Sequence, residues 1–195
     1  VRRRGLTIRT PIAEGWSVRE LILGGARSGK SAYAERRAAD SGLEVVMVVT
    51  AEAGDGEMAE RIARHRANRP ADWAVVEAPL GLAQALRDTA APGRFVVVDC
   101  LTLWLSNLLM DLDEQRGAPL PARFVRERTA LLDTLPGLPG HIALVSNEVG
   151  WGVVPMGRLS RVFVDEAGRL HQAIAGVCEQ VTLVAAGLPL HLKQP

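Results

Sequence analysis

Gly24-Gly25-Ala26-Arg27-Ser28-Gly29-Lys30-Ser31 carries the most chemistry per residue in this chain. Its spacing is GxxxxGK followed by Ser, the pattern of a loop that wraps phosphates. The glycines let the backbone curl until successive N–H groups face one set of anionic oxygens. A helix opening at Lys30 adds the positive end of its dipole. Lys30 can then reach β- and γ-phosphates, and the Ser31 hydroxyl can sit on Mg²⁺. Of the 23 basic residues only Lys30 and Lys193 are lysine; the rest are arginine. Lysine stands where a slim point charge must enter a phosphate cradle. The metal in such a site wants a second oxygen donor at the end of a neighbouring buried strand. Phe95-Val96-Val97-Val98-Asp99 is an apolar run closed by a carboxylate. Asp99 also precedes a helical pattern and could serve as its cap, a role compatible with the first.

A second cluster is nucleophilic. Met58, Ile62 and His65 share one face of a helix read over Gly56–Arg66, so the imidazole emerges from its packed side. Arg61, Arg64, Arg66 and Arg69 crowd it with positive charge. That field favours the neutral, nucleophilic ring over the ~6.5 reference behaviour and attracts a triphosphate. A solvated surface histidine has the same spacing, so the pattern alone leaves both readings open. Asn147-Glu148-Val149-Gly150-Trp151-Gly152 follows another apolar run, at the strand end where α/β proteins bind ligands. Glu148 there is a candidate for orienting a substrate hydroxyl or the metal; the alternative is a loop that only turns the chain. Trp104 reads as packing and Trp151 as an exposed aromatic. His141 and His191 read as loop or terminal residues, without partners at metal-ligand spacing.

Positioning these groups requires a scaffold, and the chain alternates two kinds of segment. Leu21–Leu23, Val45–Val49, Trp73–Val76, Phe95–Val98, Ile142–Val145 and Val181–Ala185 are short, β-branched-rich runs read as strands. Their continuous hydrophobicity fits strands covered on both faces of a parallel sheet. Helical patterns over Lys30–Ser41, Gly56–Arg66, Leu80–Ala90, Thr102–Asp113, Ala122–Leu135 and Arg158–Cys178 separate them. Gln115–Pro121 and Pro136–Gly140 read as surface loops. The expected class is α/β, with βαβ units.

Composition agrees. With 195 residues, 48% hydrophobic and 23% charged, the chain fits one domain and excludes disordered, collagen-like and disulfide-scaffold classes. No apolar stretch approaches the ~18–20 residues of a membrane helix. The net charge of +1 argues against a dedicated nucleic-acid binder. Arg2, Arg3, Arg4 and Arg9 give residues 1–10 a charge of +4, so the remainder sums to −3. Residues 1–18 are therefore expected to be a mobile basic extension, and residues 19–195 the single catalytic domain. Cys100 and Cys178 form no CxxC pair, so a reduced, cytoplasmic setting is expected.

In chain order, GGARSGKS, Arg61-Ile62 with His65 and Arg69-Pro70, Asp99-Cys100-Leu101-Thr102 with Asn107-Leu108-Leu109, and Asn147-Glu148-Val149-Gly150 form a distinctive set. It resembles the bifunctional adenosylcobinamide kinase/adenosylcobinamide-phosphate guanylyltransferase family of cobalamin biosynthesis. The likeness continues through Pro155, Arg158-Leu159, Arg161, Phe163, Asp165, Gly168-Arg169 and Gln172, and spans about Glu20 to Gly187.

The resemblance implies a P-loop NTPase fold, RecA-like, with a three-layer sandwich around a mostly parallel sheet. It implies phosphorylation of adenosylcobinamide by ATP or GTP, then transfer of GMP from GTP to adenosylcobinamide phosphate, giving adenosylcobinamide-GDP and pyrophosphate. His65 matches the family's guanylylated histidine, and Lys30 serves both reactions. Nucleotide contacts fall on Gly24, Gly25, Ala26, Arg27, Ser28, Gly29, Lys30, Ser31, Val49, Thr50, Ala51, Arg66, Ala67, Asn68, Arg69, Glu77 and Asp99, with Mg²⁺ on Ser31 and Asp99. A homo-oligomer is implied, with a trimer the expected form, and the apolar Thr102–Met110 helix is a candidate interface. Val164 and His171 depart from the family, which often has Arg and Asn there. A simpler small-molecule kinase would share the loop and Asp99 without needing His65. A RecA-like nucleotide-switched assembly protein would bind nucleotide without consuming cobinamide.

Overall fold

Leu21 and Leu23 of strand β1 (Arg19–Gly24) pack on one face of the sheet and Ile22 packs on the other. Both faces are covered by helices, which is why the run is apolar throughout rather than alternating. The same division holds in β2 (Glu44–Val49) and β4 (Arg94–Asp99). The computed structural model describes residues 17–51, 70, 72–113, 115 and 117–195. It adds β3 (Ala74–Glu77), β5 (His141–Asn147), β6 (Gln180–Ala185) and β7 (Leu188–Lys193), in one sheet of order β3-β2-β4-β5-β1-β6-β7. All neighbours pair in parallel except β7, which runs antiparallel to β6.

Helix α1 (Lys30–Ser41) lays Tyr33, Ala34 and Ala38 on the face that carries Ile22, Met47, Val97 and Val145. The opposite face is covered by α2 (Leu82–Thr89), α3 (Leu101–Leu108), α4 (Ala122–Thr134) and α5 (Arg158–Val177). Leu86, Trp104, Leu105, Phe124, Leu131, Leu170 and Ile174 fill that larger core. The result is the expected three-layer α/β sandwich around a mostly parallel sheet. α1 and α3 leave the ends of β1 and β4 on opposite faces, with β5 between the two strands, the arrangement at whose carboxyl edge open α/β sheets bind ligands.

Several expectations need correction. The third strand is displaced by one residue, from Trp73–Val76 to Ala74–Glu77. The helix expected over Thr102–Asp113 stops at Leu108. The Leu109 N–H bonds to both Leu105 and Ser106 carbonyls, tightening the last turn, and Asp113 Oδ1 accepts the Gln115 N–H in a local turn. That helix is also not an exposed apolar surface: Leu101, Trp104, Leu105 and Leu108 are buried in the chain's own core, leaving Met110 outside. His141 is not in a loop but opens β5, buried and stacked on Phe95 at 5.9 Å. His191 lies in β7, a strand the apolar-run reading did not find, and bonds to Thr182 Oγ1. Ser17 and Val18 belong to the domain: Ser17 Oγ accepts the Gly140 N–H, and Val18 O accepts that of Ile142. Residues 1–16 and the expected Gly56–Arg66 helix lie outside the described residues. Among the described residues no helix is long and apolar enough to cross a membrane.

Candidate active site

The phosphate loop occupies the turn between β1 and α1, as its spacing predicts. Gly25, Ala26 and Arg27 are exposed, while Lys30 at the helix start is buried. Gly29 takes φ +94°, a left-handed conformation that costs a side-chain-bearing residue about 1 kcal/mol or more. Arg27 also adopts positive φ, at 58°, strain of the kind that gathers at ligand clamps. Gly24 is required for space: a Cβ there would lie 2.5 Å from both Ser28 Oγ and the Val184 carbonyl oxygen. The Lys30 ammonium donates to the Gly25 carbonyl at 3.2 Å, so it is drawn across the loop rather than extended.

The loop is braced from behind. The two-residue turn Ala186-Gly187 between β6 and β7 has both φ values positive, and the Gly187 N–H donates to the Ser28 carbonyl at 2.8 Å. This brace was legible as a two-residue turn ending in Gly between apolar runs, a hairpin signature.

Asp99 ends β4, two strands from β1, yet Ser31 Oγ comes within 3.5 Å of its Oδ1. A hydroxyl and a carboxylate so placed are hard oxygen donors, the set that suits Mg²⁺ with phosphate oxygens and water completing its shell. The donor chemistry fits the ion.

Val49 pairs in register with Asp99 on one side and Glu77 on the other. Thr50 follows, fully buried, and its polar groups are committed to the scaffold. Its hydroxyl donates to the Cys100 carbonyl at 2.6 Å and accepts the Cys100 N–H at 3.0 Å. Its N–H donates to Asp99 O, and its carbonyl accepts from Asn107 Nδ2. The side chain of Thr50 thus clamps the strand end that carries Asp99. Glu77 is exposed on the outer strand β3, four positions from β1, ~19 Å away at the usual strand spacing. Of the nucleotide set, Val49 and Thr50 therefore adjoin Asp99, and only Glu77 stands on the outermost strand. His65, Arg66, Ala67, Asn68 and Arg69 lie outside the described residues.

At the head of β5 a polar chain appears that spacing did not reveal. Thr102 Oγ1 accepts the Asn147 N–H at 2.6 Å and lies 3.2 Å from Ser146 Oγ, which is 2.7 Å from His171 Nε2. His171 Nδ1 is 3.8 Å from Glu148 Oε2, and Glu148 Oε1 accepts the Gly150 N–H at 2.7 Å. The Glu148 N–H itself bonds to the Gly24 carbonyl at 3.0 Å, tying this corner to the root of the phosphate loop. Burial lowers the His171 pKa below its ordinary value, with Glu148 acting weakly the other way. Trp104 is packing, as expected, with its indole N–H on the Leu80 carbonyl; Trp151 is exposed. Val164 is half-buried on α5.

Residues 20–192 match the family described as cobinamide kinase / cobinamide phosphate guanyltransferase. The chain belongs to this family. The bifunctional adenosylcobalamin biosynthesis protein CobP of Pseudomonas aeruginosa is 61% identical over 176 residues, 90% of this chain and 98% of that protein. The corresponding CobU proteins of Escherichia coli and Salmonella typhimurium are 37% and 35% identical, each over 89% of this chain and 98% of their own length. Among solved structures, a type III secretion system ATPase superposes with a TM-score of 0.54 at 12% identity, over 89% of this chain and 56% of its own. That likeness reflects the shared nucleotide-binding fold alone. The family match covers both the phosphate loop and the Asn147–Gly150 corner.

Proposed function

We propose that this chain phosphorylates the hydroxyl on the aminopropanol arm of adenosylcobinamide with ATP or GTP, then transfers GMP from GTP onto that phosphate through a guanylyl group on His65. The observation that carries the reading is the Ser31–Asp99 oxygen pair beneath a braced phosphate loop, with Lys30 drawn across it, in a chain of this family. Ser31 and Asp99 would hold Mg²⁺, which neutralises charge on phosphate oxygens.

In the kinase step the loop N–H groups and Lys30 hold the β- and γ-phosphates in line with the attacking hydroxyl. That step is governed by positioning and electrostatics, so His65 has no part in it. In the transfer step the His65 imidazole nitrogen forms a bond to the α-phosphorus of GTP. The bond from that phosphorus to the bridging oxygen breaks, and pyrophosphate departs with the electron pair. A phosphate oxygen of the cobinamide phosphate then attacks the phosphorus of the phosphoramidate, the P–N bond breaks, and His65 leaves with the electron pair as the neutral imidazole. Arg66 and Arg69 are placed by the sequence to stabilise the charge that builds in both displacements. Val49, Ala51 and Glu77 are assigned to the nucleoside end of the GMP donor. The enzyme acts in the cytoplasm as a homo-oligomer, for which a trimer is the expected form.

Incubation with GTP labelled at the α-phosphate tests the covalent route. The adduct should be acid-labile and base-stable, and absent from His65→Ala, which should retain kinase activity. Lys30→Ala should lose both activities by roughly 10²–10³-fold. A folded His65→Ala protein that loses both activities equally would contradict this division. Nucleotide binding with no turnover of cobinamide would instead favour an assembly protein.

A further inference from the structure

We propose that Glu148 accepts the proton of the attacking hydroxyl in the kinase step, and that His171, itself held by Ser146 and Thr102, holds its carboxylate in place. The inference rests on the kinase half of the proposed function. β5 lies between the strand that leads into the phosphate loop and the strand that ends in Asp99. Asn147 is in register with Gly24, and Val145 with Asp99. Whatever projects from the next residue stands between the two phosphate-handling groups, and that residue is Glu148. Its side chain is 20% exposed, enough to meet a ligand, against 8% for His171 behind it.

The charge of Glu148 sets the polarity of the hydrogen bond behind it. A backbone N–H can only donate, so Thr102 Oγ1 accepts from Asn147; it also lies 3.2 Å from Ser146 Oγ, a pair in which either hydroxyl can donate. The negative charge of Glu148, 3.8 Å from Nδ1, favours the tautomer with the ring proton on Nδ1, and the Ser146 O–H then donates to His171 Nε2. The opposite polarity would point the Nδ1 lone pair at a negative charge. Gly150 N–H fixes the other carboxylate oxygen. Ser146 and His171 are buried polar groups whose burial costs free energy that an apolar pair would not. What this chain secures is the orientation of Glu148, with one oxygen bonded and the other steered.

The chemistry requires such a group in one half-reaction. As the hydroxyl oxygen bonds to the γ-phosphorus, its O–H bond breaks toward Glu148, and the bond to the β-phosphate oxygen breaks with the nucleoside diphosphate leaving with the electron pair. In the transfer half the nucleophile is a phosphate already ionised, so no proton acceptor is needed. His171 touches neither substrate and is a positioning residue.

The test measures each half-reaction separately in the full-length protein: phosphorylation of adenosylcobinamide, and GMP transfer to supplied adenosylcobinamide phosphate. Glu148→Gln should lower the kinase kcat by at least about 100-fold, with little change in nucleotide KM and a far smaller loss of transfer. His171→Leu and Ser146→Ala should each lower kinase kcat by about tenfold with the same selectivity. His171→Asn, whose amide offers both an acceptor and a donor, should restore most of it. Thermal unfolding of each variant checks that it is folded. Equal loss of both half-reactions, or a Glu148→Gln enzyme with normal kinase kcat, overturns the proposal. A wild-type chain that transfers GMP but forms no cobinamide phosphate overturns the kinase reading and the inference with it; one that phosphorylates normally while Glu148→Gln does too overturns the inference alone.

Discussion

Thr50 shows how much a single hydroxyl can carry. Buried between the ends of β2 and β4, it bonds both polar groups of the Cys100 backbone. Thr50→Val keeps the shape and leaves the buried Cys100 N–H unpaired, while the Cys100 carbonyl keeps only the Trp104 N–H, which should cost about 1–3 kcal/mol. Chemical denaturation measures that loss, and nucleotide affinity should fall with it because Asp99 sits on the clamped strand end. A Thr50→Val protein as stable as wild type would mean the clamp contributes nothing. The two thiols are a second case. Burial pushes the Cys178 thiol up to about 12, and burial with Asp99 nearby raises Cys100. Both should resist alkylation at neutral pH until the protein is unfolded, as mass spectrometry of iodoacetamide-treated samples would register.

Among the elements, the phosphate loop depends on neighbours that contribute nothing to its sequence pattern. Gly24 passes against the Val184 carbonyl, and Gly187 bonds to Ser28 from the β6–β7 turn. Gly24→Ala should therefore displace the loop and weaken binding of a non-hydrolysable GTP analogue by about tenfold or more, while the fold survives. Calorimetric titration alongside a thermal melt separates the two effects; unchanged affinity would show that the loop has slack to absorb a methyl group. The edge strand β7 is exposed along its length, with Leu188, Leu190 and Leu192 on the surface. α3, by contrast, spends its apolar side chains within the chain. Apolarity in the sequence marked the wrong one of these two as exposed, because a strongly apolar helix is as well explained by burial on its own sheet.

For the molecule as a whole, two histidines sit inside the core and are kept neutral there. Burial lowers the pKa of His141, with Arg37 adding to the effect, and burial lowers that of His171. In the unfolded chain both take up a proton near ~6.5. The unfolded state therefore binds more protons than the folded state as pH falls below that value. Stability contributed by these groups is present above ~6.5 and lost progressively at lower pH. The melting temperature should drop between pH 7.5 and 5.5, and less steeply in a His141→Phe variant, whose ring can still stack on Phe95. An identical slope in both proteins would remove His141 from the account.

The sequence alone fixed the local features. GxxxxGK with Ser, the β-branched runs and the apolar helix faces set the phosphate loop, the parallel strands and α1, because these depend on residues within a few positions of one another. The α1 boundaries, Lys30–Ser41, match the helical pattern residue for residue. The ordered motifs were enough for the family as well. Tertiary structure decided what depends on register and crossing. It put Ser31 beside Asp99 across 68 positions of chain, closed Thr50 onto Cys100, and threaded Thr102, Ser146, His171 and Glu148 into one polar chain. It also sent Glu77 to the far edge of the sheet. Spacing along a chain encodes which face of a helix or strand a residue occupies; only the packing of those faces decides which distant residue it meets.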